Sequence, residues 1–337
     1  MPGYRTRRRF ALDYEKVSIL EEAQLNKAHL PRIVMSLDWK SLYPFSSHEI
    51  RIGGHRYHYA DEGQGEPLLL VHGNPTWSFL WRNLIRAFRS RYRVIAVDHM
   101  GCGLSDKPQA YPYRLQQHID NLSQLVRELN LDSITLVAHD WGGAIGIGAA
   151  LRSPHRFDRF VAMNTAAFRS PHIPWQIRLA RTPILGTLAI RGPNLFLRRA
   201  LRSAIQTPQQ ITRQIRAGYL APYQSWRHRV AIDRFVKDIP RSSRHPSYST
   251  LLGIEQNLGA LADRPWLLIW GMRDWCFHEW YLNRFLDFIP EAEVCRLPDA
   301  GHLVTEDAPG EVIQAIDQFL SKTACPQAST SASPKSS

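Results

Sequence analysis

Ser133-Ile134-Thr135-Leu136-Val137-Ala138-His139-Asp140-Trp141-Gly142-Gly143 is the stretch on which the reading of this chain turns. Ile134 to Ala138 form a short apolar, β-branched run of the kind that makes a buried strand. The two glycines then open Ala144-Ile145-Gly146-Ile147-Gly148-Ala149-Ala150-Leu151, whose small and apolar residues suit a closely packed helix. Asp140 stands between strand and helix. Strand, tight turn, one reactive side chain and a helix N-terminus aimed at it make a nucleophile elbow. A serine is usual there. An aspartate is already ionised at neutral pH, so it needs no base before attacking a carbon and forming an ester. An aspartate that merely ends a strand and caps a helix fits the same stretch, so its partners decide.

Two loops downstream supply those partners. Leu268-Ile269-Trp270-Gly271-Met272-Arg273-Asp274 reads as a strand followed by a loop acid, and Pro298-Asp299-Ala300-Gly301-His302 places a histidine before the last helix. The order Asp140, Asp274, His302 is nucleophile, acid, histidine. Asp274 would hold His302 in one tautomer and stabilise its charged form, and His302 could act as general base on water or as a proton shuttle. Asp299 is a rival acid, but it is too near His302 in sequence to reach behind the imidazole easily. The alternative acid position, after the strand that precedes the lid, holds Asn164. Asn74 follows His72-Gly73 at a strand end, where an oxyanion-hole loop belongs, and Trp141 follows the nucleophile. An amide and an indole N–H directed at one spot form a cradle for a departing anion.

Around these residues, buried strands alternate with helices. Strands are expected at His48–Ile52 and His55–Ala60 (a hairpin about Gly53-Gly54), Pro67–Val71, Tyr92–Val97, Phe160–Met163, Trp266–Trp270 and Glu293–Leu297. Helices are expected at Thr76–Phe88, Leu115–Leu129, Leu251–Leu261, Glu279–Phe288 and Pro309–Leu320, with a short one at Val17–His29. Such alternation means an α/β fold with a mostly parallel sheet covered on both faces. The expected organisation is an N-terminal extension (1–44), a first core segment (45–164), a helical, Arg-rich insertion (165–245) lying as a lid over the strand ends, a second core segment (246–321) and a disordered Ser/Ala/Pro tail (322–337).

Composition narrows the class. The chain has 337 residues and a formal charge of +12. Between Thr165 and His245 fourteen arginines and Lys237 face only Asp233 and Asp238, so this one segment carries essentially all of that charge. No nucleic-acid-binding motif accompanies it, and no nucleic-acid partner is expected. Cys102, Cys276, Cys295 and Cys325 have neither metal-ligand nor disulfide-frame spacing; they read as reduced thiols in a cytoplasmic protein. Cys102, in a Gly-Cys-Gly turn, reads as a small turn filler, with a place lining the site as the alternative. No cofactor or metal is expected. Arg5, Arg7, Arg8 and Arg9 lack the apolar run of a signal peptide behind them, and no segment approaches membrane-spanning length.

The motifs His72-Gly73-Asn74-Pro75-Thr76-Trp77, Asp98-His99-Met100-Gly101-Cys102-Gly103-Leu104-Ser105-Asp106-Lys107-Pro108, His139-Asp140-Trp141-Gly142-Gly143 and Gly301-His302 resemble those of haloalkane dehalogenases, from about Tyr43 to Leu320. The resemblance implies an α/β-hydrolase fold with an inserted helical cap. It also implies Asp140 as nucleophile, His302 as base, Asp274 as its acid, and Asn74 with Trp141 as the halide-holding pair. Gly101-Cys102-Gly103, Asn164-Thr165-Ala166-Ala167-Phe168 and Gly218-Tyr219-Leu220-Ala221-Pro222-Tyr223 look more narrowly like the OleB-type β-lactone decarboxylases of bacterial olefin biosynthesis, which share those residues. That likeness implies conversion of a long-chain cis-3,4-dialkyl β-lactone to a cis-olefin and carbon dioxide, with other enzymes of that pathway as partners. Haloalkane dehalogenation is the second reading. Epoxide hydrolysis is a third, in which Tyr219 and Tyr223 would act as cap tyrosines; Asn74, where those enzymes usually carry an aromatic, speaks against it. A non-catalytic receptor is disfavoured by five compatible site residues. The mixture of apolar residues and arginines from Ile173 to Ile205 suits three roles: contact with an anionic membrane or partner, a wide pocket for alkyl chains, or a solvated basic face.

Overall fold

The computed structural model describes residues 38–323. The expected Val17–His29 helix and the tail beyond residue 323 lie outside them. Eight strands form one sheet: β1 (Ser47–Ile52), β2 (His55–Glu62), β3 (Pro67–Val71), β4 (Arg93–Val97), β5 (Ile134–Asp140), β6 (Phe157–Thr165), β7 (Trp266–Gly271) and β8 (Glu293–Leu297). Their spatial order is β1-β2-β4-β3-β5-β6-β7-β8. β1 and β2 pair antiparallel through a turn at Gly53 (φ 56°) and Gly54 (φ 83°), where two consecutive positive φ values call for glycine. β2 joins β4 antiparallel, and every other pairing is parallel.

The central parallel strands β3, β5 and β7 are buried on both faces, which is why they read as largely apolar runs, whereas the edge strand β8 is partly exposed. The period of two is visible in how they divide. Leu69, Val71, Leu136, Ala138, Phe160, Ala162, Leu268 and Trp270 pack into one core layer. Leu68, Leu70, Val137, Val161, Met163, Leu267 and Ile269 pack into the other. The helix α1 (Arg82–Phe88) and the last helix, Pro309–Lys322, join the second layer. The helices α2 (Leu115–Glu128) and α3 (Trp141–Arg152) join the first, α2 through Leu115, Ile119, Leu122 and Leu125 at helical spacing.

The expected Thr76–Phe88 helix begins later. Ser78–Trp81 form a 3-10 turn ahead of α1, because Ser78 N–H is bound by Asp98 Oδ1 (2.8 Å) and Trp77 and Phe79 are pulled into an aromatic cluster with Tyr43. Lys322, expected in the tail, closes the final helix.

Between β6 and β7 the described chain contains only helices. α4 (Trp175–Ala180), α5 (Leu185–Arg191), α6 (Leu195–Ser203), α7 (Arg213–Leu220) and α8 (Val230–Lys237) come first. Next, α9 (Tyr248–Asn257) returns along α3 to the start of β7. α10 (Glu279–Phe288), a one-turn α11 (Val304–Asp307) and α12 (Pro309–Lys322) complete the fold. Among the described residues no helix is long and apolar enough to cross a membrane.

Candidate active site

Asp140 ends β5 with φ 53° and ψ −126°, a backbone region costly for any residue with a Cβ. The contacts that hold it there explain the neighbouring glycines. A Cβ on Gly142 would overlap the Val71 carbonyl, one on Gly143 would overlap the Thr165 hydroxyl, and one on Gly73 would overlap the Asp140 carboxylate itself. The Thr165 hydroxyl also donates to the Asp140 carbonyl.

The carboxylate is divided in function by its surroundings. Oδ1 accepts from the Asn74 backbone N–H at 2.6 Å, and the Trp141 backbone N–H also supports the carboxylate. Oδ2 faces His302 Nε2 at 3.7 Å. Burial pushes the Asp140 carboxyl up to about 6, although His302 and the two N–H donors oppose that rise. One oxygen is thus held by the Asn74 N–H, and the other faces the imidazole.

His302 arrives on the loop after β8. Its Nδ1 lies 2.8 Å from Asp274 Oδ2, its ring stacks on Phe277 at 5.6 Å, and its carbonyl accepts from His139 Nε2 at 2.8 Å. Burial disfavours the imidazolium, but Asp274 and Asp140 outweigh it and raise the His302 pKa above its ordinary value. Burial also works against the Asp274 carboxylate. His302 and the Cys276 and Phe277 N–H groups overcome it and hold that carboxyl below the usual range. Burial pushes His139 down to about 3, which makes it a neutral hydrogen-bonding support.

Sequence reasoning therefore placed Asp140, Asp274 and His302 in residues that the fold brings together. Asp299 points elsewhere: it is exposed and paired with Arg273. Asn164 was noted only for not being an acid, yet it ties the site together. Its Nδ2 donates to Asp274 Oδ2 (2.9 Å) and to the Gly271 carbonyl (3.2 Å), and its Oδ1 accepts from Gly271 N–H (2.8 Å). A polar residue directly after the apolar run Phe160–Met163 was the available signal.

Asn74, Asp140 and Trp141 line one cavity of about 130 Å³, walled by apolar side chains that include Ala144, Phe168, Ile177, Val236 and Phe277. The Asn74 Nδ2 makes a long contact, 3.4 Å, to the Ile232 carbonyl, and its Oδ1 has no partner. The Trp141 ring leans on Phe235 of α8 at 5.4 Å. Cys276, not Cys102, is the cysteine at the cavity. Cys102 is fully buried beside Tyr223, and burial pushes its thiol up to about 12.

The cap tyrosines face away from the cavity. Tyr219 donates to Glu306 Oε1 at 2.5 Å, within a buried cluster where Arg82 Nη2 lies 2.7 Å from Glu306 Oε2. Tyr223 donates to the Thr76 carbonyl and accepts from Gly103 N–H. Neither can polarise a ring oxygen at Asp140, which removes the feature that favoured epoxide hydrolysis.

A profile of the "alpha/beta hydrolase fold" family matches residues 66–309. The chain belongs to that family. The chain is 41% identical over 289 residues to the cis-3-alkyl-4-alkyloxetan-2-one decarboxylase of Shewanella oneidensis, a match covering 84% of this chain and 91% of that one. It is 32% identical to haloalkane dehalogenase 2 of Mycobacterium bovis, over 84% of this chain and 98% of that one. Among solved structures, haloalkane dehalogenase DbeA from Bradyrhizobium elkani superposes with a TM-score of 0.76 at 26% identity, covering 83% of this chain and 98% of that one.

Proposed function

We propose that this chain is a β-lactone decarboxylase that converts a cis-3-alkyl-4-alkyloxetan-2-one into a cis-olefin and carbon dioxide. Asp140 is the nucleophile, His302 and Asp274 form its supporting pair, and Asn74 and Trp141 hold the anion. The observation that carries this reading is the higher identity to the decarboxylase, 41% against 32% for the dehalogenase, over the same 84% of the chain. The apolar cavity wall is in keeping with a substrate whose arms are alkyl chains.

The chemistry follows from the site. Asp140 Oδ2 attacks ring carbon 4 with inversion, and the bond from that carbon to the ring oxygen breaks. The ring oxygen leaves as a carboxylate on carbon 3, beside Asn74 and Trp141. The bond between carbon 3 and that carboxylate then breaks to release carbon dioxide. Its electrons form the double bond and expel Asp140 as a free carboxylate. One negative charge passes to the substrate and back, and neither a proton nor water is consumed. Inversion followed by anti elimination keeps the cis relationship. A cationic His302 steadies the anion wherever it resides, in line with its raised pKa.

A second reading, haloalkane dehalogenation, draws on the Asn74 and Trp141 backbone N–H groups at the Asp140 carboxylate. They would stabilise the oxyanion formed when His302-activated water attacks an Asp140 ester. A single turnover of a cis-β-lactone in heavy-oxygen water separates the two. The decarboxylase cycle returns the Asp140 peptide unlabelled together with a cis-olefin. Stoichiometric label in that peptide, a trans product, or turnover of haloalkanes alone would overturn the proposal.

A further inference from the structure

The cap has an outer face that the chemistry leaves unused. Six of the eight exposed large apolar side chains among the described residues fall on the stretch from α4 to α6: Trp175, Leu179, Ile184, Leu185, Leu188 and Leu195. Ile184 is 72% and Leu185 69% exposed. The inner sides of the same helices are filled by Ile177, Ile190, Leu197 and Leu201, so the outer apolar residues are surplus to the cap's own core. One exposed leucine is ordinary; a cluster on adjacent turns marks a contact surface.

The charge beside this patch has a single sign. Arg198, Arg199 and Arg202 are exposed on α6, and their guanidinium groups have no hydrogen-bond or ion-pair partner among the described residues. They differ in this from Arg181 and Arg229, whose guanidinium groups are bound by backbone carbonyls. No acidic residue occurs between Asp158 and Asp233 to neutralise them. Guanidinium groups match phosphate geometry, and apolar side chains flanked by arginine suit the boundary between headgroups and acyl chains.

We propose that this face docks on an anionic lipid bilayer, with Ile184, Leu185 and Leu188 entering the acyl boundary and the α6 arginines meeting headgroup phosphates. The face is connected to the reaction centre. A groove of about 350 Å³ lined by Trp175, Leu179, Leu185 and Leu195 shares Phe196 with the cavity at Asp140. The groove on the docking face and the cavity at Asp140 thus lie on either side of one side chain, Phe196.

Co-sedimentation with vesicles tests this. The probes are phosphatidylcholine alone and phosphatidylcholine mixed equally with phosphatidylglycerol. The wild-type protein is expected to sediment with the mixed vesicles, not with the neutral ones, and to be released by salt. Ile184→Ser with Leu188→Ser should abolish binding. Arg198→Gln with Arg202→Gln should weaken it by about fivefold per charge removed. Neither pair lines the cavity or the groove, so thermal midpoints and turnover of a short, water-soluble substrate should stay at wild-type values. Equal binding to both vesicles, no binding, or binding unchanged by these variants would overturn the proposal. So would a wild-type oligomer that the serine variant dissociates, since the face would then join two copies. The vesicle readout involves no turnover, so its failure and a failure of the decarboxylase reading are distinguishable.

Discussion

Replacing Asn164 by aspartate keeps its shape and reverses one interaction. The Asn164 amide nitrogen now donates to Asp274 Oδ2 at 2.9 Å, with both residues buried. In Asn164→Asp a carboxylate oxygen stands there instead. Two charges at that separation repel by about 6 kcal/mol at an effective dielectric constant of ~20. That equals roughly four pKa units, so the pair should keep one shared proton up to about pH 8. An unfolded aspartate loses its proton near 3.9, so across this window the folded variant binds more protons than the unfolded chain. Stability must therefore fall as pH rises through it, by about 4 kcal/mol near neutrality. Thermal denaturation of wild type and variant between about pH 5 and pH 8 should show midpoints diverging by on the order of 10 °C. A gap that stays constant over that range would refute the reasoning, because it would mean that the residue 164 side chain does not face Asp274. Turnover should fall as well, since the oxygen that His302 uses would accept the shared proton.

Asp140→Ala should abolish turnover, and Asp274→Asn should lower kcat by orders of magnitude, because His302 loses the carboxylate that orients it and stabilises its charged form. Asp299→Asn should leave kcat at its wild-type value, because Asp299 is paired with Arg273 in solvent; steady-state rates of the three variants decide between the acids. In pH–rate profiles of kcat/KM, the acid limb should fall near 6 as Asp140 takes up a proton. An alkaline limb should follow as His302, whose pKa is raised, loses its own. A profile that keeps rising through that alkaline region would mean that neutral His302 is the working form and that the cycle is hydrolytic.

The parts of this molecule that were legible in its sequence are those set by local pattern. β3, β5 and β7 are buried on both faces, so each is a largely apolar run of strand length, and Asn74, Asp140 and Asp274 stand at or just beyond their ends in that order, with His302 after the last strand. Asn164 was noted only as the absence of an acid, because its role exists only once β6 lies beside β7, about a hundred residues downstream, with Met163 opposite Ile269. The place of the cap tyrosines was hidden for a related reason: spacing places Tyr219 on a helix but does not reveal that Glu306 binds its hydroxyl. The 3-10 start before α1 was hidden because Asp98, from another strand end, captures the Ser78 N–H that would otherwise begin a regular helix.

β6 and β7 are neighbours in the sheet, yet the chain between them carries the whole cap. Asp140 and Asn74 precede this excursion, and Asp274 and His302 follow it. Ile173, Ile177, Phe196, Val236 and Ile239, which shape the cavity from above, all belong to it. Selection can therefore redraw what the enzyme admits without touching how it reacts. Lengthening a crossover of this size costs little, since each doubling of a loop adds only about 0.6 kcal/mol of closure entropy. Chemistry and appetite meet where Ile232 and Phe235 touch Asn74 and Trp141, so a foreign cap grafted between Thr165 and Tyr248 that keeps those two contacts should bring its own substrate range to the same reaction centre.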